Sequence, residues 1–201
     1  MLNYLAFLGF NPGGEKEIYT RQDLVDVFEL EKIQRSGAQW NDEKLDWMNK
    51  EHIKLLPKEE IEKNILDNLP ANLKNKKIVP LIFERIEKWS DVKNIAQELE
   101  FFVNTPQIDK NKLVFKNTAP EKITENLKIA IAELEKISEK DFTQESIKST
   151  LMKLAEKAES RGEVLHPVRY ALSGQDKSPD PFTIASIIGK DETLSRLKKA
   201  I

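Results

Sequence analysis

The sequence predicts an all-α fold, and three observations carry that prediction. Apolar residues recur at helical spacing along nearly the whole chain, and no stretch shows the strict alternation of a half-buried strand. Residues that start helices stand before these segments: Thr20, Asn41, Ser90, Thr143 and Asp180 each offer a side-chain oxygen to a first-turn N–H. The 7 glycines and 9 prolines fall mostly at the joins, where they punctuate the helices.

Taken in order, an apolar helix from Leu2 to Leu8 ends at Gly9, followed by the turn Asn11-Pro12-Gly13-Gly14. Thr20, three residues before Asp23, caps a short helix through Phe28. The segment Arg35-Ser36-Gly37-Ala38 reads as a break. Asn41 caps a helix with Leu45, Met48, His52 and Leu55 on one side. Pro57 starts the next, with Glu59 and Glu60 in its first turn, where negative charge suits the helix dipole. Beyond Pro70, residues 72–77 form a polar loop or a frayed helix start, and Leu81, Phe83, Ile86 and Trp89 follow at helical spacing. Ser90 caps a helix through Val103 with Ile95, Leu99 and Phe102 inward, stopped by Asn104-Thr105-Pro106.

Pro120 opens a helix to Ile137 that buries Ile123, Leu127, Ala130, Ile131 and Leu134. Thr143 caps another, with Ile147, Leu151, Leu154 and Ala158 on one stripe, closed by Gly162. Three short helices complete the chain: His166 to Ser173 ending at Gly174, one opened by Asp180 and Pro181 and stopped by Gly189, and Asp191 to Ala200. No internal repeat of fixed period is present, so a regular solenoid is not expected.

Composition bounds the function. Hydrophobic residues make up 39% and charged residues 33%, as in a soluble globular protein. No apolar run approaches 18 residues, so no membrane span or membrane partner is expected. Met1 to Phe10 is apolar but has no basic leader, so a signal peptide is not expected. The absence of cysteine removes disulfides, thiolate metal sites and a cysteine nucleophile, and fits a cytoplasmic location. Net charge is -2, with a local balance of seven Lys/Arg against five Asp/Glu from Arg161 to Ile201. A net charge near zero argues weakly against a nucleic-acid partner, and the local excess of +2 decides nothing alone.

Catalytic chemistry is hard to place. The only paired glycines, Gly13-Gly14, lie in a proline-containing turn rather than a phosphate loop, and no serine sits in a nucleophile elbow. His52 and His166 have no companions at metal-ligand spacing. No catalytic residue, metal ligand or cofactor is assigned, and the residues read as a binding module.

Two stretches resemble bacterial glutamyl-tRNA synthetases. The first is Leu2-Asn3-Tyr4-Leu5-Ala6-Phe7-Leu8-Gly9-Phe10 with Asn11-Pro12. It continues through Phe28, Ile33, Ser36-Gly37-Ala38, Lys44-Leu45-Asp46-Trp47-Met48-Asn49 and His52-Ile53. The second is Pro167-Val168-Arg169-Tyr170-Ala171-Leu172-Ser173-Gly174, then Ser178-Pro179 and Ile187-Ile188-Gly189-Lys190. Between Pro57 and Phe142 the likeness is one of helical pattern. The His-x-Gly-His tetrapeptide and Lys-x-Ser-Lys-type loop that hold ATP in that family are missing. The resemblance therefore implies the family's C-terminal part, without cofactors of its own and unable to activate glutamate; ATP and Mg belong to the parent enzyme.

The resemblance implies an irregular multi-helix stem-contact segment over residues 1–69. An α-helical anticodon-binding domain over 70–201 follows, in subdomains of about 70–116 and 117–201. The implied partner is tRNA(Glu), touched at the anticodon arm and the inner side of the L, by a monomer. Arg169 matches an arginine that contacts the anticodon, and the loop with Lys177, Ser178, Pro179 and Phe182 matches one that touches the same bases. A guanidinium pairs with base edges or phosphates and stacks on unstacked bases, and Pro179 and Pro181 would stiffen the loop. The competing reading has Arg169 paired with a carboxylate such as Glu163. Arg85 matches an arginine that reads the third anticodon base, with Lys88 or Lys93 as rival equivalents and, against all three, a reading of Arg85 as a solvated arginine paired with Glu84 or a helix neighbour. Lys32, Arg35 and Lys44 match positions that touch the tRNA backbone, against a reading as ordinary surface cations. Trp40 and Trp47 are expected in the core. Two alternatives stay open: a helical protein-interaction module without RNA specificity, and an enzyme with an unrecognised site.

Overall fold

A computed structural model describes every residue except Asn11, Arg35, Ser36 and Ala38. Parts of the expected Asn11-Pro12-Gly13-Gly14 turn and of the Ser36-Gly37-Ala38 break, and the candidate cation Arg35, lie outside the described residues. The described residues are helical with no strand; Phe10 and Ile33 form one isolated antiparallel bridge. None of these helices is long and apolar enough to cross a membrane. Contacts divide the chain into one unit of residues 1–70 and 74–96 and another of residues 71–73 and 97–201.

The first unit holds α1 (Leu2–Gly9), α2 (Arg21–Val27), α3 (Asp42–Lys54), α4 (Lys58–Asn68), α5 (Val79–Arg85) and most of α6 (Asp91–Glu98). α2 begins in a reciprocal cap: Thr20 Oγ1 accepts from Asp23 N at 3.1 Å, and Asp23 Oδ2 accepts from Thr20 N at 2.9 Å. Asn41 Oδ1 accepts from Lys44 N at 2.9 Å and starts α3, which buries Met48 and Ile53. Two corrections follow from where these helices end. Leu55 lies beyond α3 and is 64% exposed, so the buried stripe stops before it. α5 begins at Val79 with Pro80 in its first turn, so its buried face is Val79, Ile82 and then Ile86; Leu81, Phe83 and Trp89 are half-buried.

Before α6 the connection is organised by Asp91, whose carboxylate accepts from the backbone N–H groups of Glu87 and Lys88 at 3.0 Å each. The helix expected to run through Val103 stops at Glu98. One 3-10 turn, Glu100–Phe102, follows and buries both Phe101 and Phe102.

In the second unit α7 (Pro120–Glu135), α8 (Gln144–Ala155), α9 (Gly162–Ser173), α10 (Pro181–Ile188) and α11 (Lys190–Ala200) pack around α9, which touches the other four. All five expected inward residues of α7 are buried. α8 starts at the Thr143 cap but ends at Ala155. Gly162 is therefore not its stop; it is the first residue of α9. A Cβ there would stand 2.2 Å from Cζ of Phe115, so any larger residue would push this half-buried ring away from the helix start.

α9 also begins earlier than expected and carries Pro167 inside it. Proline has no N–H, which leaves the Glu163 carbonyl one turn back without its helical donor. The buried Asn126 of α7 takes that place, donating from Nδ2 to Glu163 O at 3.0 Å. Arg196 of α11, 2% exposed, donates from Nη1 to Phe101 O at 2.6 Å and Leu172 O at 2.7 Å, and from Nε to Glu192 at 2.7 Å. It ties three segments of the unit at the end of α9.

Candidate nucleic-acid interface

α9 ends in Gly174, which adopts the left-handed conformation at φ 65. A Cβ there would lie 2.7 Å from Cβ of Pro106, so both the backbone and the close approach call for glycine. The chain then loops through residues 175–180 before Asp180 caps α10, accepting from Thr183 N at 2.9 Å and from Thr183 Oγ1 at 2.6 Å.

Arg169 reaches into this loop from α9. Its Nη1 donates to Gln175 O at 3.1 Å and to Ser178 Oγ at 2.8 Å, and its Nη2 donates to Asp176 O at 3.0 Å. Three of the five guanidinium N–H groups are thus spent on the loop, and the carboxylate partner weighed for it, Glu163, is not among its bonds. Burial pushes the Arg169 pKa below its ordinary value while nearby Asp176 opposes that; a guanidinium stays charged at neutral pH regardless. Other bonds hold the same loop. Gln175 Nε2 donates to Glu98 O at 2.9 Å, Gln175 N donates to Ser173 Oγ at 3.2 Å, and Lys112 pairs with Asp176 at 2.7 Å.

The structure brings together Arg169, Lys177, Ser178 and Pro179. Lys177 is exposed, while Ser178 and Pro179 are half-buried. Phe182 departs from its expected role: it is 8% exposed on α10, a core residue that anchors the end of the loop and offers no open ring face.

The remaining candidates belong to the first unit. Arg85 is exposed in the last turn of α5, where a cation suits the helix dipole. Its rival Lys88 is bound to Asp46 at 2.7 Å, and Lys93 is exposed on α6. Lys32 pairs with Glu29 at 2.7 Å. Lys44 pairs with Glu17 at 2.7 Å, with its ammonium 5.9 Å from the centre of the Phe7 ring. Trp40 and Trp47, expected in the core, are 50% and 40% exposed. Trp40 stands edge-on to Tyr4 with ring centres 5.0 Å apart, and its Nε1 donates to Asp42 at 2.7 Å. Trp47 sits next to buried Met48, a third of a helical turn off the inward face.

The histidines are structural. His52 Nε2 lies 3.0 Å from Asn3 Oδ1, which also accepts from Tyr19 N at 2.8 Å. His166 Nε2 lies 2.9 Å from Lys112 O; a carbonyl only accepts, so that nitrogen carries the proton. Among the described residues no group of three or more His, Asp or Glu side chains is placed to hold a metal ion. Sequence reasoning missed Lys112, Asp176, Gln175 and Asn126. Only the position of Asp176 and Gln175 beside the candidate loop could have pointed to any of them.

A family profile described as an anticodon binding domain matches residues 38–201. The chain belongs to this family. Curated sequences named glutamate–tRNA ligase are similar to this chain along its whole length. Those from Clostridium botulinum and Clostridium kluyveri are 35% and 38% identical over 209 and 212 residues, covering 100% of this chain and 42% of each ligase. Two crystal structures share the fold. A glutamate tRNA ligase from Elizabethkingia meningosepticum matches with a TM-score of 0.82 and 30% identity over 99% of this chain and 40% of that one. The glutamate-tRNA synthetase from Elizabethkingia anophelis matches with a TM-score of 0.76 and 32% identity, over 100% of this chain and 39% of that one. The chain thus spans about two fifths of the length of these relatives.

Proposed function

We propose that this chain recognises the anticodon arm of a glutamate tRNA for a glutamate–tRNA ligase whose catalytic part lies elsewhere. The observation that carries the reading is the loop at residues 174–180, ordered from beneath by Arg169, in a chain of the anticodon-binding family. Proteins read RNA sequence chiefly in single-stranded loops, where unstacked bases expose their edges to fixed donors and cations. A loop already held by Arg169, Gln175 and Asp180 has little left to lose in ordering when RNA arrives. The two guanidinium N–H groups of Arg169 that the loop does not use, the Ser178 hydroxyl and Pro179 face the anticodon on this reading. Lys177 meets its phosphates, and Phe182 supports the loop from the core.

On the same reading Arg85 reads the third anticodon base, and Lys32, Arg35 and Lys44 contact the RNA backbone along the inner side of the L. Residues 1–69 then serve the stem and residues 70–201 the anticodon. The complete ligase joins glutamate to its tRNA with ATP and Mg; this chain has no motif for either and is inactive alone, a cytoplasmic monomer.

The test is binding of the purified chain to two stem-loops that differ only in the anticodon, at one fixed salt concentration. Preference for the glutamate anticodon is expected, with Arg169→Ala weakening that binding about ten- to a hundredfold. Arg169→Lys should not rescue it, because a single ammonium cannot span Gln175 O, Asp176 O and Ser178 Oγ together. Equal binding to both loops would reduce the role to phosphate tracking. No binding to either loop or to whole tRNA would favour a protein-interaction module instead.

A further inference from the structure

Lys112 and Asp176 stand 64 residues apart in sequence and meet at the edge of the Arg169 loop. Lys112 is fixed by its backbone: it lies in the 3-10 turn Lys110–Leu113, whose Leu113 is buried, and its carbonyl is 2.9 Å from His166 Nε2 on α9. Its flexible side chain therefore starts from a fixed point beside α9. There it meets a carboxylate oxygen of Asp176 at 2.7 Å, with the two side chains 49% and 70% exposed. Asp176 is held too, since its own carbonyl accepts from Arg169. The Asp176 carboxylate thus touches the Lys112 ammonium directly while the Arg169 guanidinium holds the main-chain carbonyl of the same residue; both cations, with His166, favour its charged form, and the Lys112 hydrogen bond is the largest of these influences.

An exposed ion pair of this kind adds little to folding stability and breaks readily. Its geometry is that of a small anion seated in a cationic notch. Resting on the proposed reading of the Arg169 loop, we infer that Lys112 is a phosphate-contacting residue of the RNA site and that Asp176 is its internal stand-in. The RNA backbone displaces the Asp176 carboxylate and takes the Lys112 ammonium. Asp176 then lowers affinity for every polyanion that reaches the notch. Only an RNA whose bases also satisfy the loop recovers the difference, so the pair sharpens discrimination at the expense of raw affinity.

The experiment is a cycle of four proteins, the wild-type chain, Lys112→Gln, Asp176→Asn and the double variant, titrated with the glutamate anticodon stem-loop over a range of salt concentrations. Thermal unfolding of each confirms that the exposed substitutions leave the fold intact. Asp176→Asn is expected to tighten binding about two- to fivefold, the factor an exposed ion pair commands. Lys112→Gln should weaken binding and reduce the slope of log affinity against log salt by about 0.7, the value for one single-strand phosphate. In the Lys112→Gln background Asp176→Asn should gain less than about twofold, because no ammonium is left to release. If Asp176→Asn gains equally in both backgrounds, the carboxylate acts only through net charge and the inference falls. It falls also if Lys112→Gln leaves the salt slope unchanged. These failures differ from failure of the underlying reading, in which the wild-type chain shows no anticodon preference and Arg169→Ala changes nothing.

Discussion

Replacing Asn126 by alanine tests how α9, and with it Arg169, is held. Pro167 deprives the Glu163 carbonyl of its helical donor, and the Asn126 amide at 3.0 Å replaces it from a residue only 7% exposed. Asn126→Ala leaves the carbonyl of half-buried Glu163 without this donor, which costs about 1–2 kcal/mol. The magnitude is attributable to this bond through a cycle with Pro167→Ala. In that background the alanine N–H can bond to Glu163 O within the helix, and the asparagine is no longer needed. The coupling between the two substitutions should therefore be about 1–2 kcal/mol, well above the roughly 0.4 kcal/mol that independent sites show. Urea unfolding of the four proteins, followed by far-UV circular dichroism, measures it. The three tryptophans, Trp40, Trp47 and Trp89, all lie in the first unit, so their fluorescence does not report on α9. Additive losses would refute the claim that Asn126 is a substitute donor.

Three further outcomes follow from the same geometry. Gly174→Ala forces a side chain into φ 65 and places a Cβ 2.7 Å from Pro106, so it should cost about 2 kcal/mol in urea unfolding and weaken stem-loop binding by disturbing the loop. Arg196→Met leaves the Phe101 and Leu172 carbonyls without their donor and removes the partner of Glu192, with an expected loss of about 3 kcal/mol in the same assay. The pH dependence of that loss has a definite sign. Glu192 is held below its usual pKa, mainly by Arg196 and also by Thr105. A depressed folded-state pKa means stability that is present above the unfolded value of about 4.3 and lost as pH falls through the folded one. Wild-type stability should therefore decline with acid more steeply in that window than Arg196→Met stability does; parallel curves would contradict the assignment.

Much of the fold was legible because helix starts are local chemistry. Thr20 with Asp23, Asn41 with Lys44, Thr143 with Ser146 and Asp180 with Thr183 each bond three residues apart, within the reach of a sequence pattern. The inward stripe of α7 was legible for the same reason, since a long helix repeats its period several times. Errors came where the chain departs from regular spacing for a partner far away. The helix around Pro167 looked as if it began at His166, because the amide that serves the Glu163 carbonyl freed by Pro167 lies 37 residues before Glu163. Gly162 looked like a stop, because the Phe115 ring that packs against it lies in another segment.

The candidate site divides along the same line. Arg169 and its loop are within nine residues of one another, close enough for a motif to hold both. What makes the loop a fixed surface is distant: Glu98 bonded to Gln175 across 77 residues, Lys112 to Asp176 across 64, and Arg196 bracing the end of α9 from 95 residues beyond Phe101. Each of these is an ordinary charged or polar residue by its neighbours. A lysine in a segment with Asp109 and two other lysines gives no hint that its ammonium alone is aimed at the loop. The candidate arginine can thus be named from sequence. Whether it acts as a free donor or as the keystone of a preformed loop is set by residues that only the fold brings to it. Here three of its five N–H groups serve the loop, so on the proposed reading its removal would act on RNA through the shape of the loop as well as through lost contacts.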